Sequence, residues 1–167
     1  MEELIQYVLK YLSTGSRELT LIICSTLPII ELRGGIPIGI LYFEFSPVKT
    51  YFLCCFGNLI PIIPLLLLFG KIEQIMARNK YSNRFLQWYI ERVRKRTARV
   101  EHLEMWGLVL FVAIPLPVTG AWTGSVASFL MGIDWRKGLL SIMCGVFIAG
   151  IVVTTLTMCG AKIYTFL

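Results

Sequence analysis

Two stretches of this chain are long, apolar and almost free of charge. Val48 to Gly70 carries one charged residue, Lys49, at its edge, and Gly138 to Ala161 carries none. Each exceeds the roughly 20 residues a helix needs to cross a hydrocarbon core about 30 Å thick. The composition agrees. Of 167 residues 56% are hydrophobic, and the mean hydropathy is +0.73, whereas a soluble domain is usually about half apolar or less. An integral membrane protein is therefore expected. The first 12 residues, MEELIQYVLKYL, are short and charged with no small-residue cleavage site, so no signal peptide is read there.

Several function classes find no support. Cys24, Cys54, Cys55, Cys144 and Cys159 form no C-x-x-C pair and lie in apolar surroundings, which fits packing better than metal or redox chemistry. His102 has no second ligand at metal spacing. Neither a metal nor a cofactor is expected. There is no Ser/His/Asp or Cys/His arrangement, no phosphate-cradling glycine loop and no HExxH pattern, so enzyme activity is not expected either.

The net charge of +6 is concentrated in one place, with nine basic residues between Lys71 and Glu104 against four acids. Beside membrane spans such a cluster marks the cytoplasmic side rather than a nucleic-acid surface. Arg92, Arg94, Lys95 and Arg96 suit anionic lipid headgroups, each cation being worth about 1 kcal/mol near the surface. Tyr81, Phe85, Trp88 and Tyr89 follow helical spacing. The segment reads as an amphipathic helix in the interface, or equally as an ordinary charged connector.

Two further apolar segments do not behave as simple spans. Leu19 to Phe45 holds Pro28, Glu31, Arg33, Gly34, Gly35, Pro37 and Gly39 near its middle. A straight helix would set Glu31 and Arg33 at the bilayer centre, at about 2.5–3.5 kcal/mol each on insertion scales. Trp106 to Met131 is uncharged, but Pro115, Pro117 and Gly120 cluster at its centre. Proline removes a helical donor and clashes with the preceding turn. Each segment reads as two half-helices joined by a break at membrane depth, a re-entrant hairpin, tolerated only where the irregular backbone is buried or lines a wet cavity.

The arrangement recurs. GIPIG (35–39) and GAWTG (120–124) are both G-x-x-x-G, 85 residues apart, while Lys49 matches Lys137 and Gly57 matches Gly145 at 88. About three residues are then inserted within the second half. With the basic segment cytoplasmic and each hairpin re-entrant, the halves are inverted about an axis in the membrane plane. If all four segments cross instead, both termini move inside. The expected fold is an all-α integral membrane protein of one membrane domain. An N-terminal amphipathic segment (1–18) precedes repeat one (19–70), a basic amphipathic linker (71–104) and repeat two (105–167).

Intramembrane ionisable residues are functional candidates by default. Glu31 suits a coupled proton or a cationic substrate. Arg33 suits a phosphate, which its planar fork holds better than lysine would. Helix N-termini near Gly35 and Gly120 would add N–H donors for anions. The alternative is that Glu31 and Arg33 form an internal structural pair or snorkel to an interface. Asn58, in GNLIPIIP, is a buried amide that serves either the site or a carbonyl freed by Pro61. Thr119, Trp122, Thr123 and Ser125 supply uncharged donors at the second tip. The G-x-x-x-G pairs, ending at Gly39 and Gly124, let helices approach closely.

ELRGGIPIG (31–39), GNLIPIIPLLLLFG (57–70) and PLPVTGAWTGSVASFLMG (115–132) resemble the bacterial and archaeal small multidrug export protein family, over roughly residues 20–160. That family is similar to the DedA (VTT-domain) superfamily. The resemblance implies two inverted re-entrant hairpins, each followed by a span, and lipid movement across the bilayer with proton coupling. It maps Glu31 and Arg33 to the first hairpin, where acidic and arginine residues matter. PLPVTGAW lacks the arginines that DedA proteins carry beside the second proline.

The expected function is a small transporter in the plasma membrane of a prokaryote, crossing it more than once. It would move a lipid or other anionic headgroup substrate past Glu31 and Arg33. The alternatives are proton-coupled export of cationic drugs and a non-transporting scaffold. Membrane lipids are expected partners, nucleic acid is not, and a homodimer is expected because about four embedded segments enclose little space.

Overall fold

The computed structural model describes residues 16–78, 101–115 and 119–166. The first 15 residues, most of the basic linker with Arg92, Arg94, Lys95 and Arg96, and Pro117 lie outside the described residues. Every described element is helical. Contacts gather into two units, Met1–Asn58 with Gly150–Leu167, and Leu59–Ala149.

In the first unit, α1 (Arg17–Thr26) opens on Ser16, whose Oγ accepts the Leu19 N–H at 3.3 Å. It stops because Pro28 disfavours helical geometry in the residue before it, and Leu27 is extended at φ −74°, ψ 134°. The chain reverses over 27–30 and α2 (Glu31–Pro37) begins. Pro37 does not end this arm as a second break. It closes α2, and a π turn, Ile38–Tyr42, carries the arm on. Proline has no N–H for the carbonyl four residues earlier, and the wider turn is closed from Phe43 N–H to Ile38 O at 3.0 Å.

Ser46 and Pro47 then start α3 (Pro47–Leu59). Proline at the first helical position forgoes a donor that has no partner there anyway, and Ser46 Oγ accepts from Lys49 N–H at 3.4 Å. Where an unbroken span is expected, the helix is interrupted at Ile60–Pro61 before α4 (Ile62–Arg78) resumes.

The second unit contains α4, α5 (Glu101–Ala113) and α6 (Ala121–Leu130). Gly132, in the left-handed region at φ 67°, ends α6, as glycine commonly does at helix ends. Asp134 Oδ1 accepts the Arg136 N–H at 3.0 Å at the start of α7 (Trp135–Phe166). Within this unit Phe69 stacks on Phe129, ring centroids 5.0 Å apart.

Pro47–Phe69 and Trp135–Ala161 are long and apolar enough to cross a membrane, each with mean hydropathy 2.4. Large apolar side chains stay exposed along them, among them Phe52, Phe56, Ile151 and Leu156. A lipid-facing surface accounts for this, since hydrocarbon imposes no penalty on such groups.

Candidate functional site

The first hairpin is defined by close approach. A methyl group at Gly35 would strike Ser25 Oγ of α1 and lie 3.0 Å from Cys54 Sγ of α3. One at Gly39 would strike Thr50 and lie 2.9 Å from Leu21. One at Gly57 would lie 2.6 Å from the Ile22 carbonyl oxygen, an atom that cannot swing aside. Thus α2 runs antiparallel to both α1 and α3, with glycine at each crossing.

The same contacts recur in the second unit. Gly145 would meet Val109 O at 2.9 Å and the Val112 side chain at 2.6 Å, as Gly57 meets Ile22 and Ser25. Gly124 would meet Val112 and Ile142, as Gly35 meets Ser25 and Cys54. Gly138 would strike Ser128, the Gly39–Thr50 contact with the small and larger partners exchanged. By these contacts Gly35 corresponds to Gly124, 89 residues on, and Gly39 to Ser128. The pairing of GIPIG with GAWTG by spelling is therefore displaced by four residues, one helical turn. The matches of Gly57 with Gly145 and Lys49 with Lys137 keep their 88-residue spacing.

Along α2 and its π continuation, Glu31, Gly35 and Gly39 fall at intervals of four, one helical stripe. On α3 the facing stripe is Thr50, Cys54 and Asn58, all three fully buried. Gly39 meets Thr50 and Gly35 meets Cys54. One more turn of that antiparallel register sets Glu31 level with Asn58. Glu31 is 8% exposed, and its backbone is left-handed at φ 50°, a region costing a residue with a Cβ roughly 1–2 kcal/mol. It is the first residue of α2, its N–H donating to Leu27 O at 2.9 Å. Gly35, expected beside a helix N-terminus, sits a turn inside the helix. Arg33 is half-buried, and the Glu31 carboxylate acts electrostatically on its guanidinium. Gly34 would push a methyl to 2.7 Å from Ile30.

Asn58 is 1% exposed, and neither its amide nitrogen nor its amide oxygen has a hydrogen-bond partner. An unpaired buried amide costs about 1–3 kcal/mol. The corresponding residue of the second unit, 88 on, is Val146 at 0% exposure. Glu31 and Arg33 correspond likewise to Gly120 and Trp122. The first unit thus carries acid, cation and amide where the second carries no ionisable group.

At the second tip the hydroxyls are engaged with backbone. Thr119 donates to Ile114 O at 2.9 Å, and Thr123 Oγ1 accepts the Gly120 N–H at 2.9 Å. These bonds tie off the break left by Pro115. Trp122 is half-buried on the first turn of α6. The sequence reading named Glu31 and Asn58 separately but did not pair them. The four-residue spacing on both segments was the available signal.

At the open end of the first hairpin, Lys49 Nζ lies 2.8 Å from Glu18 Oε1 and 4.2 Å from the Phe45 ring centroid. Among the described residues no group of His, Cys, Asp and Glu is arranged to hold a metal ion.

Helices able to span a bilayer, with polar residues buried beside one hairpin, define this as a membrane protein with a candidate transport site. The profile of the family described as "Putative small multi-drug export protein" matches residues 31–152, and the chain belongs to that family. No curated protein and no solved structure matches the chain.

Proposed function

We propose that this protein is a small transporter, not an enzyme, of a prokaryotic plasma membrane. It moves an anionic headgroup substrate, a lipid among the candidates, coupled to a proton on Glu31. The observation carrying this reading is the burial of Glu31 against a half-buried Arg33. With Glu31 ionised the two charges offset each other. With Glu31 protonated, Arg33 loses that offsetting charge, and in a low-dielectric setting an anion bound to it gains most. Proton and anion thus favour each other's binding, which is what co-transport needs.

The repeated contacts within each unit support two hairpin–span repeats, and re-entrant hairpins would give those repeats opposite topologies. A homodimer encloses the pathway more fully than one copy does. The basic segment 71–104 rests on anionic lipid at the cytoplasmic face. A second reading, export of cationic drugs in exchange for protons, is favoured by the family's description and opposed by Arg33, which repels a cation beside Glu31.

The test is movement of headgroup-labelled anionic glycerophospholipid across proteoliposomes bearing the wild type, Glu31→Gln, Arg33→Ala or Arg33→Glu. A charge-assisted hydrogen bond of about 1.5–3 kcal/mol predicts a loss of about ten- to hundredfold in each variant. Wild-type rates in Glu31→Gln and Arg33→Ala contradict the proposal. Cationic dye transport that survives or improves in Arg33→Glu moves the assignment to the second reading.

A further inference from the structure

Asn58 remains unexplained by this reading: an amide with an unpaired donor and an unpaired acceptor, where the other half of the chain fits valine. Its place narrows what can answer it. Thr50 and Cys54 on α3 face Gly39 and Gly35 on the antiparallel arm, and the same register carried one turn further sets the buried Asn58 level with Glu31. The glycines keep the two backbones close along this seam.

Among the described residues, the ionisable groups on the elements packed around Glu31 are these. Arg33 is on its own helix. α1 carries Cys24 nearby and α3 carries Cys54 and Cys55, all thiols. On the part of α7 in this unit, Cys159 is exposed. Glu18 and Lys49 pair with each other at the opposite end of the hairpin, Lys49 about 14 Å from Asn58 along α3.

We propose that Asn58 is the partner of protonated Glu31. A carboxylic acid offers one O–H donor and one C=O acceptor, and a primary amide offers an N–H donor and a C=O acceptor. Face to face they close a ring of two hydrogen bonds, Glu31 O–H to Asn58 Oδ1 and Asn58 N–H to the Glu31 carbonyl oxygen. A carboxylate has no proton for Asn58 Oδ1 and instead faces Arg33. Glu31 therefore changes partner when it takes up its proton: Arg33 when ionised, Asn58 when neutral. Asn58 is a positioning residue that holds the proton-loaded carboxyl away from Arg33. This inference rests on Glu31 being the proton site, and it explains why an amide stands at 58 and a valine at 146.

The test is infrared difference spectroscopy of the full-length protein in lipid, titrated from neutral to acid pH. The Glu31 band is identified as the carboxylic-acid C=O stretch absent from Glu31→Gln. In the wild type this band lies at the lowered frequency of a doubly hydrogen-bonded acid. In Asn58→Leu, close to asparagine in shape, and Asn58→Val, the residue of the other half, it moves to higher frequency. An unmoved band in both variants overturns the role of Asn58 while leaving Glu31 as the proton site. The lack of any Glu31 band at acid pH overturns the proton assignment itself. Two apolar variants guard against one failing to fold.

Discussion

Glu31 holds a left-handed backbone that L residues avoid, at the first position of a buried helix. If this conformation is imposed by the turn over 27–30, Glu31→Gly retains more stability than Glu31→Ala, by about 1 kcal/mol. Thermal unfolding in detergent checks it, and an Ala variant as stable as Gly contradicts it. The glycines separate by what surrounds them. Gly57→Ala drives a methyl against the Ile22 carbonyl, and overpacking of that kind costs about 1–3 kcal/mol. A methyl at Gly107 or Gly160 meets nothing within 4 Å, so Ala there is neutral or stabilises the helix by up to about 1 kcal/mol. Equal melting of the Gly57 and Gly107 variants contradicts the close approach.

Among the elements, the breaks and spans were legible because proline and charge act locally. Pro28 ends α1 through its effect on Leu27, and the uncharged run after Gly138 forms one helix. What was not legible depended on partners from elsewhere in the chain. Pro37 stands among the residues read as interrupting the first segment, yet the arm continues past it as a π turn. The two G-x-x-x-G motifs were aligned by spelling, but each glycine is placed by the neighbour it must clear, and those contacts pair Gly35 with Gly124. Asn58 was recognised as a buried amide, whereas its register opposite Glu31 needed the helix crossing. The Glu18–Lys49 pair, 31 residues apart in sequence, was also unforeseen. It links α1 to the first turn of α3, and the Lys49 hydrogen bond holds the Glu18 carboxyl below its ordinary value. The sign follows: the pair's stabilisation is present above the ordinary carboxylate range and is lost as pH falls through the lowered Glu18 value. Melting temperature measured from neutral to strongly acid pH should therefore fall more steeply in the wild type than in Glu18→Gln. Equal slopes contradict the link.

Across the molecule one set of close contacts is used twice. Both units use small residues to bring a hairpin against a span, but only the first sets an acid, a cation and an unpaired amide into that packing. The proposed inversion makes a topological prediction. A single cysteine in place of Thr165, with the five native cysteines replaced, should react with a membrane-impermeant reagent from outside the cell, and labelling only from the cytoplasm contradicts it. The central claim, that anionic substrate moves with a proton through Glu31, is tested most directly by following both species at once. Proteoliposomes carrying an internal pH dye and headgroup-labelled anionic lipid report proton entry and lipid exchange together. The account predicts that the two rise together in the wild type and are lost together in Glu31→Gln. Lipid exchange at the wild-type rate in Glu31→Gln, with or without proton entry, would contradict it.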